Sequence, residues 1–290
     1  MHRIFIEQND EAFLKLQFSQ RKHYEWAEVY NNISWVLLIF IVVFNIFCSC
    51  TNQSIYIPLC STFILAFLTV AIEKLADINI KVGAGTKEFI DSKLFNFQKQ
   101  HSYGEYSREK IIEFASKVKL KHPEEYKIQT RNTGSDKIRG VKDWYTNKIA
   151  GTEEEVMLAC QKENIWWNGS LTKKFFITII ILAVVVVIST LGLILAFPSR
   201  KVIVVSILSS SAVIIKIIVD TVHALNYYKF YANANSKIEL IENNNNLTIG
   251  NLVKLQNDIN SIRSTKFLVP NVIHKIYSKK FHEVRAEISS

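Results

Sequence analysis

Residues 175–197 read FFITIIILAVVVVISTLGLILAF, and residues 202–223 read VIVVSILSSSAVIIKIIVDTVH. Between Lys174 and Arg200 lie 25 residues without a charged side chain. A helix rises about 1.5 Å per residue and the bilayer hydrocarbon is about 30 Å thick, so roughly 20 apolar residues cross it. Each of the two stretches is therefore one crossing. Upstream, the 44 residues between Glu28 and Glu73 are also uncharged, which leaves room for two more. The spans are predicted at Ile33–Cys50, Tyr56–Ala76, Phe175–Phe197 and Val202–His223. They form two helical hairpins. The first is closed by the uncharged SCTNQSI and the second by Pro198-Ser199-Arg200-Lys201, where proline cannot continue a helix.

The remaining sequence divides around these hairpins. An N-terminal helix occupies 1–31, hairpin one 32–76, a polar helical segment 77–174, hairpin two 175–223, and C-terminal helices 224–290. The fold class is all-α. Lys and Arg decide the orientation. The hairpin tips hold only Arg200 and Lys201, while Arg21, Lys22, Lys74, Lys81, Lys173, Lys174 and Lys229 flank the other ends. Both termini and the middle segment are thus predicted to face the cytoplasm from a bacterial inner membrane. Tyr24, Trp26, Tyr30, Trp166, Trp167, Tyr227, Tyr228 and Tyr231 cluster where an interfacial aromatic belt would sit.

Within the polar pieces, 1–31 reads as one helix leading into the first span. The middle segment reads helical at 87–120 and 152–168, with HPEEYKIQTRNTGSDKIRG between them as loop. The stretch Val82-Gly83-Ala84-Gly85-Thr86-Lys87 lacks the spacing of a phosphate loop and reads as a flexible break. The fourth span continues as helix to about Glu242 before NNNNLTIGN breaks it. Leu252, Leu255, Ile259 and Ile262 then form an apolar seam, for the chain's own helices or for a second subunit.

The whole chain has 290 residues, 35 Lys+Arg against 26 Asp+Glu, and 49% hydrophobic residues. With the apolar runs, this excludes an ordinary soluble enzyme, a disordered tail and a secreted disulfide scaffold. Four cysteines do not make a disulfide framework, though Cys48 or Cys50 could bridge to Cys60 at the outer face. No histidine pair or Cys/His cluster has metal-ligand spacing, and no nucleophile elbow is present, so neither catalysis nor a cofactor is expected. Lys216 and Asp220 share a face of the fourth span at i,i+4. Either Lys216 snorkels to the inner headgroups with Asp220 beside it, or both face a bundle or water path and gate it. Asn45 and the serines at 206 and 209–211 could hydrogen-bond between spans.

Three separated blocks resemble one family. Ile6-Glu7-Gln8-Asn9 and Gln20-Arg21-Lys22-His23-Tyr24-Glu25-Trp26-Ala27 are similar to its opening helix. Asp143-Trp144-Tyr145, Ala159-Cys160-Gln161, Asn164 and Trp167 resemble its central pattern, and Leu255-Gln256, Ile259, Arg263 and Val269-Pro270 its closing helix and break. The family is that of SMODS-associated four-transmembrane effectors of bacterial anti-phage systems. The chain departs from its pattern at Glu28, where a basic residue is expected, and at Thr146, where proline is expected.

The resemblance implies a CBASS-type effector that a cyclic oligonucleotide switches on and that then breaches the membrane, killing or arresting the infected cell. The expected partners are that messenger, the lipid bilayer and further copies of the chain, with no DNA or RNA polymer. On this view Trp144 and Tyr145 stack a base, Gln161 and Asn164 read base edges, and Arg263 holds phosphate. The competing reading makes these five packing residues of the helical domain. A constitutive scaffold anchoring a cytoplasmic partner is the alternative function. A solute transporter is disfavoured, because no Gly/Pro-interrupted span marks a midplane site.

Overall fold

The computed structural model describes residues 2–51, 53–97, 102–146, 149–196, 199–244, 246–265 and 267–289. The elements are α1 (Arg3–Glu7), α2 (Glu11–Cys50), α3 (Tyr56–Leu94), a small hairpin of β1 (Ser102–Tyr103) and β2 (Tyr106–Ser107), α4 (Arg108–Lys121), α5 (Pro123–Arg131), α6 (Glu153–Ala196), α7 (Arg200–Asn243), α8 (Ile249–Arg263) and α9 (Asn271–Ser289). The protein is all-α, and four of its helices are long and apolar enough to cross a membrane.

Those four helices have 40, 39, 44 and 44 residues. At about 1.5 Å per residue each is roughly 60 Å long, twice the hydrocarbon thickness. One half of each is therefore a span, and the other half continues unbroken into a polar body. That body encloses its own core. Ile4 and Phe5 of α1, Leu16 of α2, Phe89, Ile90 and Leu94 of α3, Ile111 of α4, Met157 and Ile165 of α6, and Leu252, Leu255 and Ile259 of α8 are all buried in one cluster. The α8 seam thus packs inside its own chain, with Ile262 against the same cluster.

Several local expectations fail for physical reasons. The Gly-rich stretch 82–87 is not a break but the middle of α3. Its glycines are needed for close approach. A Cβ on Gly83 would lie 3.1 Å from the Tyr24 ring, and one on Gly85 would lie 2.7 Å from the Tyr103 carbonyl oxygen. Packing overrides the low helix propensity of glycine here. The helix expected over 87–120 is interrupted. α3 ends at Leu94, Asn96 and Gly104 take positive φ, and α4 begins only at Arg108, where the Ser107 hydroxyl caps the Lys110 amide. The loop expected after His122 contains α5, in which Pro123 starts the helix and Glu124 and Glu125 occupy its first turn. The N-terminal arm is two helices rather than one, broken at Gln8–Asp10.

Cys48 and Cys60 are both free, so no bridge to Cys60 closes the first hairpin. Pro198, expected to turn the second hairpin, lies outside the described residues. Within the spans, the Asn45 amide donates to Thr62 Oγ1 at 2.7 Å and to Ser209 Oγ at 2.8 Å, and Ser61 donates to Asn45 Oδ1 at 3.0 Å. α2, α3 and α7 are thus tied at depth. Of the expected aromatic belt, Tyr227 and Tyr231 are buried in the polar core. Trp166 and Trp167 pack edge-on against Phe281 of α9 at 5.9 and 6.0 Å.

His23 of α2 gives the fold a pH sensitivity. Its Nδ1 lies 2.9 Å from Asn79 Oδ1, its ring packs edge-on against Trp26 and Phe114, and its Nε2 has no partner among the described residues. Burial holds the imidazole below its ordinary value of 6.5, outweighing the bond to Asn79. The unfolded chain therefore takes up this proton at a higher pH than the folded one. Stability from this site is present above about pH 6.5 and falls as the pH drops toward the folded value. His23→Gln should lose less melting temperature than the unmodified chain between pH 7.5 and 5.5. Equal losses would remove His23 from the account.

Candidate functional site

Asp91, one turn before the end of α3, sits at the centre of a polar network inside the body. Its side chain is fully buried. Oδ1 accepts from Lys87 Nζ at 2.9 Å and from the Tyr145 hydroxyl at 2.8 Å. Oδ2 accepts from Arg263 Nη1 at 2.7 Å and from Gln256 Nε2 at 3.1 Å. Lys87 and Asp91 meet because i and i+4 share a helix face. Arg263 arrives from the last turn of α8. The Asn164 amide of α6 donates to the Tyr145 hydroxyl at 3.0 Å.

Tyr145 itself is clamped. Its backbone N–H donates to Gln8 Oε1 at 2.8 Å, and the Gln8 amide donates back to the Tyr145 carbonyl at 3.2 Å. Asn9 makes a related pair with Asp143: the Asp143 backbone N–H donates to Asn9 Oδ1 at 2.9 Å, and the Asn9 amide donates to the Asp143 carboxylate at 3.0 Å. The break between α1 and α2 thus presents Gln8 and Asn9 to residues 145 and 143, and Asp143 takes a positive φ where it is held.

Of the five residues expected to contact ligand, Tyr145 and Arg263 bond Asp91 directly, and Asn164 reaches it through the Tyr145 hydroxyl. Gln161 joins one step away, donating to Gln256 Oε1 at 3.1 Å and to the Leu252 carbonyl at 2.9 Å. Trp144 is half-buried at the edge, with Lys87 Nζ 4.9 Å from its ring centroid and 4.8 Å from that of Tyr145. All five therefore have packing or hydrogen-bonding partners inside the chain. Gln8 and Gln256 belong to the blocks that carry the family resemblance, though with no role assigned; Lys87 and Asp91 are site residues that the sequence reading missed. The Lys87/Asp91 spacing was a readable signal, hidden by treating 82–87 as a break.

Two cations face one carboxylate in this core. Burial alone would raise the Asp91 carboxyl, but Lys87 and Arg263 outweigh it and hold the group below its ordinary value. Burial lowers the Lys87 ammonium despite the pull of Asp91. Burial also opposes the Arg263 charge, yet the neighbouring carboxylate wins and raises its pKa. The Tyr145 hydroxyl is pushed well up by burial and by Asp91, so it remains a donor. The arrangement holds Lys87, Arg263 and Asp91 together in a buried, prearranged setting, with Glu88 close enough to feel Arg263.

A second cluster lies in the spans. Lys216 Nζ is 2.8 Å from Glu73 Oε1, 3.2 Å from Asn31 Oδ1 and 3.7 Å from Asp220 Oδ2, and it lies 5.3 Å from the centroid of the Trp35 ring. Its side chain is 7% exposed. The nearest partner is Glu73 on α3, not the expected Asp220, and Ser34 also donates to Glu73 at 3.0 Å. Glu73 was visible as the first charge after the long uncharged run, but nothing in the sequence placed it beside Lys216.

Beyond the Asp91 network, the described residues 264, 265 and 267–270 form a strap between α8 and α9. It leaves α8 immediately after Arg263. The Tyr227 hydroxyl donates to the Ile262 and Thr265 carbonyls at 2.5 and 3.3 Å. Phe267 then wedges between Phe175 of α6 and Tyr227 of α7, at centroid distances of 5.5 and 4.3 Å. The Asn271 N–H, at the start of α9, donates to Glu28 at 2.6 Å. Among the described residues, no group of three or more His, Cys, Asp or Glu side chains is placed to hold a metal ion.

No curated protein and no solved structure matches the chain. A family model does match, the SMODS-associating 4TM effector domain, over residues 2–288. It spans the Gln8 clamp, the Asp91 network, the strap and all four crossings. The chain therefore belongs to the SMODS-associating 4TM effector family, the membrane effectors of CBASS-type systems.

Proposed function

We propose that the protein senses a cyclic di- or trinucleotide on the cytoplasmic side of the bacterial inner membrane and responds by permeabilising that membrane. The observation that carries the reading is continuity. Asp91 and Lys87 lie on α3, and Gln161 and Asn164 on α6, and both helices run without interruption into the spans. A phosphate bound to Arg263 competes with Asp91 for the guanidinium, a charge-assisted contact favoured by planar donor geometry. Trp144 and Tyr145 supply faces for a base, while Gln161 and Asn164 supply edge donors. Displacing α8 moves the strap and draws Phe267 from between α6 and α7. The ligand drives this only in so far as it binds the rearranged state more tightly than the resting one. Four spans are few for a pore, so an open path is built from several copies.

The full internal pairing around Asp91 favours one other reading, a fixed core that anchors a cytoplasmic partner. Expression with and without an active cyclic-oligonucleotide synthase separates the two. Growth arrest and dye entry confined to the doubled strain, and lost in Arg263→Met while that variant still reaches the membrane fraction, support the sensor. The same growth and dye exclusion with or without the synthase support the scaffold.

A further inference from the structure

The last helix, α9, lies across the bundle rather than along it. The Asn271 N–H at its start bonds Glu28, which stands five residues before the first span at Ile33. His274 and Phe281 both pack against the Trp167 ring, at centroid distances of 5.6 and 6.0 Å, although they are seven residues apart. Trp167 stands eight residues before the third span at Phe175. At about 1.5 Å per residue, these contacts lie about 8 and 12 Å outside the hydrocarbon. About 15 Å of α9 therefore keeps to one narrow level, close to parallel with the membrane plane. Side chains on its span-ward face reach the headgroups, which occupy about 5–8 Å beyond the hydrocarbon.

The faces of α9 have different surroundings. Ile273 and Phe281 are buried in one cluster with Leu171 and Phe175 of α6, and Tyr277 packs there with Lys174 Nζ 5.0 Å from its ring centroid. Val272 and Ile276, one turn apart, are each 63% exposed. Val272 lines a cavity between the spans together with Ile179 and Leu182 of α6, so this face looks into the membrane. At about 100° per residue, Lys275 flanks the pair about 80° to one side and Lys280 about 60° to the other, and both are exposed. Residues 271–281 hold three lysines and no acidic residue, and Lys173 is exposed at the neighbouring foot of the third span. Lys275 is close enough to Glu28 to feel its charge, while Glu28 already accepts from the Asn271 N–H. An apolar face bordered by lysines at headgroup level is the arrangement of a helix that lies in the interface and favours anionic lipid.

We infer that α9 is an interfacial helix. Its Val272/Ile276 face dips into the leaflet adjoining the polar body, and Lys275 and Lys280 bond the phosphates of anionic lipids such as phosphatidylglycerol. The strap runs from Arg263 to α9, so this lipid contact fixes the far end of the segment that leaves the Asp91 network. The contact requires no nucleotide.

The full-length protein is reconstituted in phosphatidylcholine vesicles with or without phosphatidylglycerol. A spin label is placed at Ile276 on a genetically encoded ketone side chain, which leaves all four cysteines untouched. The control label is at Leu120, 79% exposed on α4 beside the Lys119–Glu11 ion pair. With phosphatidylglycerol present, the label at 276 should be reached by oxygen and shielded from a water-soluble nickel chelate, and the label at 120 should show the reverse. Lys275→Gln and Lys280→Gln should each lower the ratio of lipid-embedded to free label about fivefold. Omitting phosphatidylglycerol should lower it at least as much as the two substitutions together. A label at 276 as open to the nickel chelate as the one at 120 overturns the inference. So does embedding that is equal in both vesicles and in the double variant, since the headgroups then play no part.

Discussion

Asp91→Ala is expected to destabilise the polar body by about 3–5 kcal/mol, the usual consequence of removing one member of a buried ion pair. Four donors from α3, α8 and residue 145 meet this one carboxylate. Without it, Lys87 and Arg263 face each other across a dry core. The measurement is a thermal or denaturant melt of the detergent-solubilised full chain, followed by helical circular dichroism. The triple change Lys87→Met/Asp91→Leu/Arg263→Met removes every charge together and should recover most of the loss, because apolar replacement of a buried ionic cluster is often neutral. If the network exists for sensing, the triple variant is folded and yet indifferent to the synthase. A triple variant that still responds would reduce these residues to packing. An Asp91→Ala chain as stable as the original would show that the network contributes nothing to the fold.

Lys216→Leu is the second large effect. It removes the cation from between Glu73 and Asp220 and leaves two carboxylates at the edge of the hydrocarbon. Breaking such a pair is expected to cost about 3 kcal/mol or more. The chain should be lost from the membrane fraction or melt well below the original. Adding Glu73→Gln to Lys216→Leu should restore part of that loss, and adding Asp220→Asn should restore more. A coupling between positions 216 and 73 above about 0.5 kcal/mol in a double-mutant cycle marks a real interaction. Independent, additive effects would mean that Lys216 acts alone, as a snorkelling side chain does.

The crossings were legible because lipid is an unforgiving solvent. Uncharged runs of that length have few other folded solutions. Much less of the body could be read. Pro123 looks like a breaker in isolation, yet at the first position of α5 its missing N–H costs nothing. Gly83 and Gly85 look like a hinge until Tyr24 and the Tyr103 carbonyl are seen against them. Both errors share one cause, since local propensity was decided by neighbours remote in sequence. The family pattern picked out Tyr145, Asn164 and Arg263, which do meet in space. It could not show that they meet over Asp91, since that convergence requires α3 and α8 to be docked.

The uninterrupted run of α3 from Tyr56 to Leu94 fixes an angular phase between Glu73 and Lys87. One extra residue inserted between them would swing everything beyond it by about 100° about the helix axis, turning Asp91 away from Arg263 while Glu73 stays beside Lys216. Seven extra residues, close to two full turns, would bring the face back to within about 20°. The protein is thus not a sensor joined to an anchor by exchangeable cable; it resembles a key cut from one blank, in which bow and bit stay aligned only at whole turns.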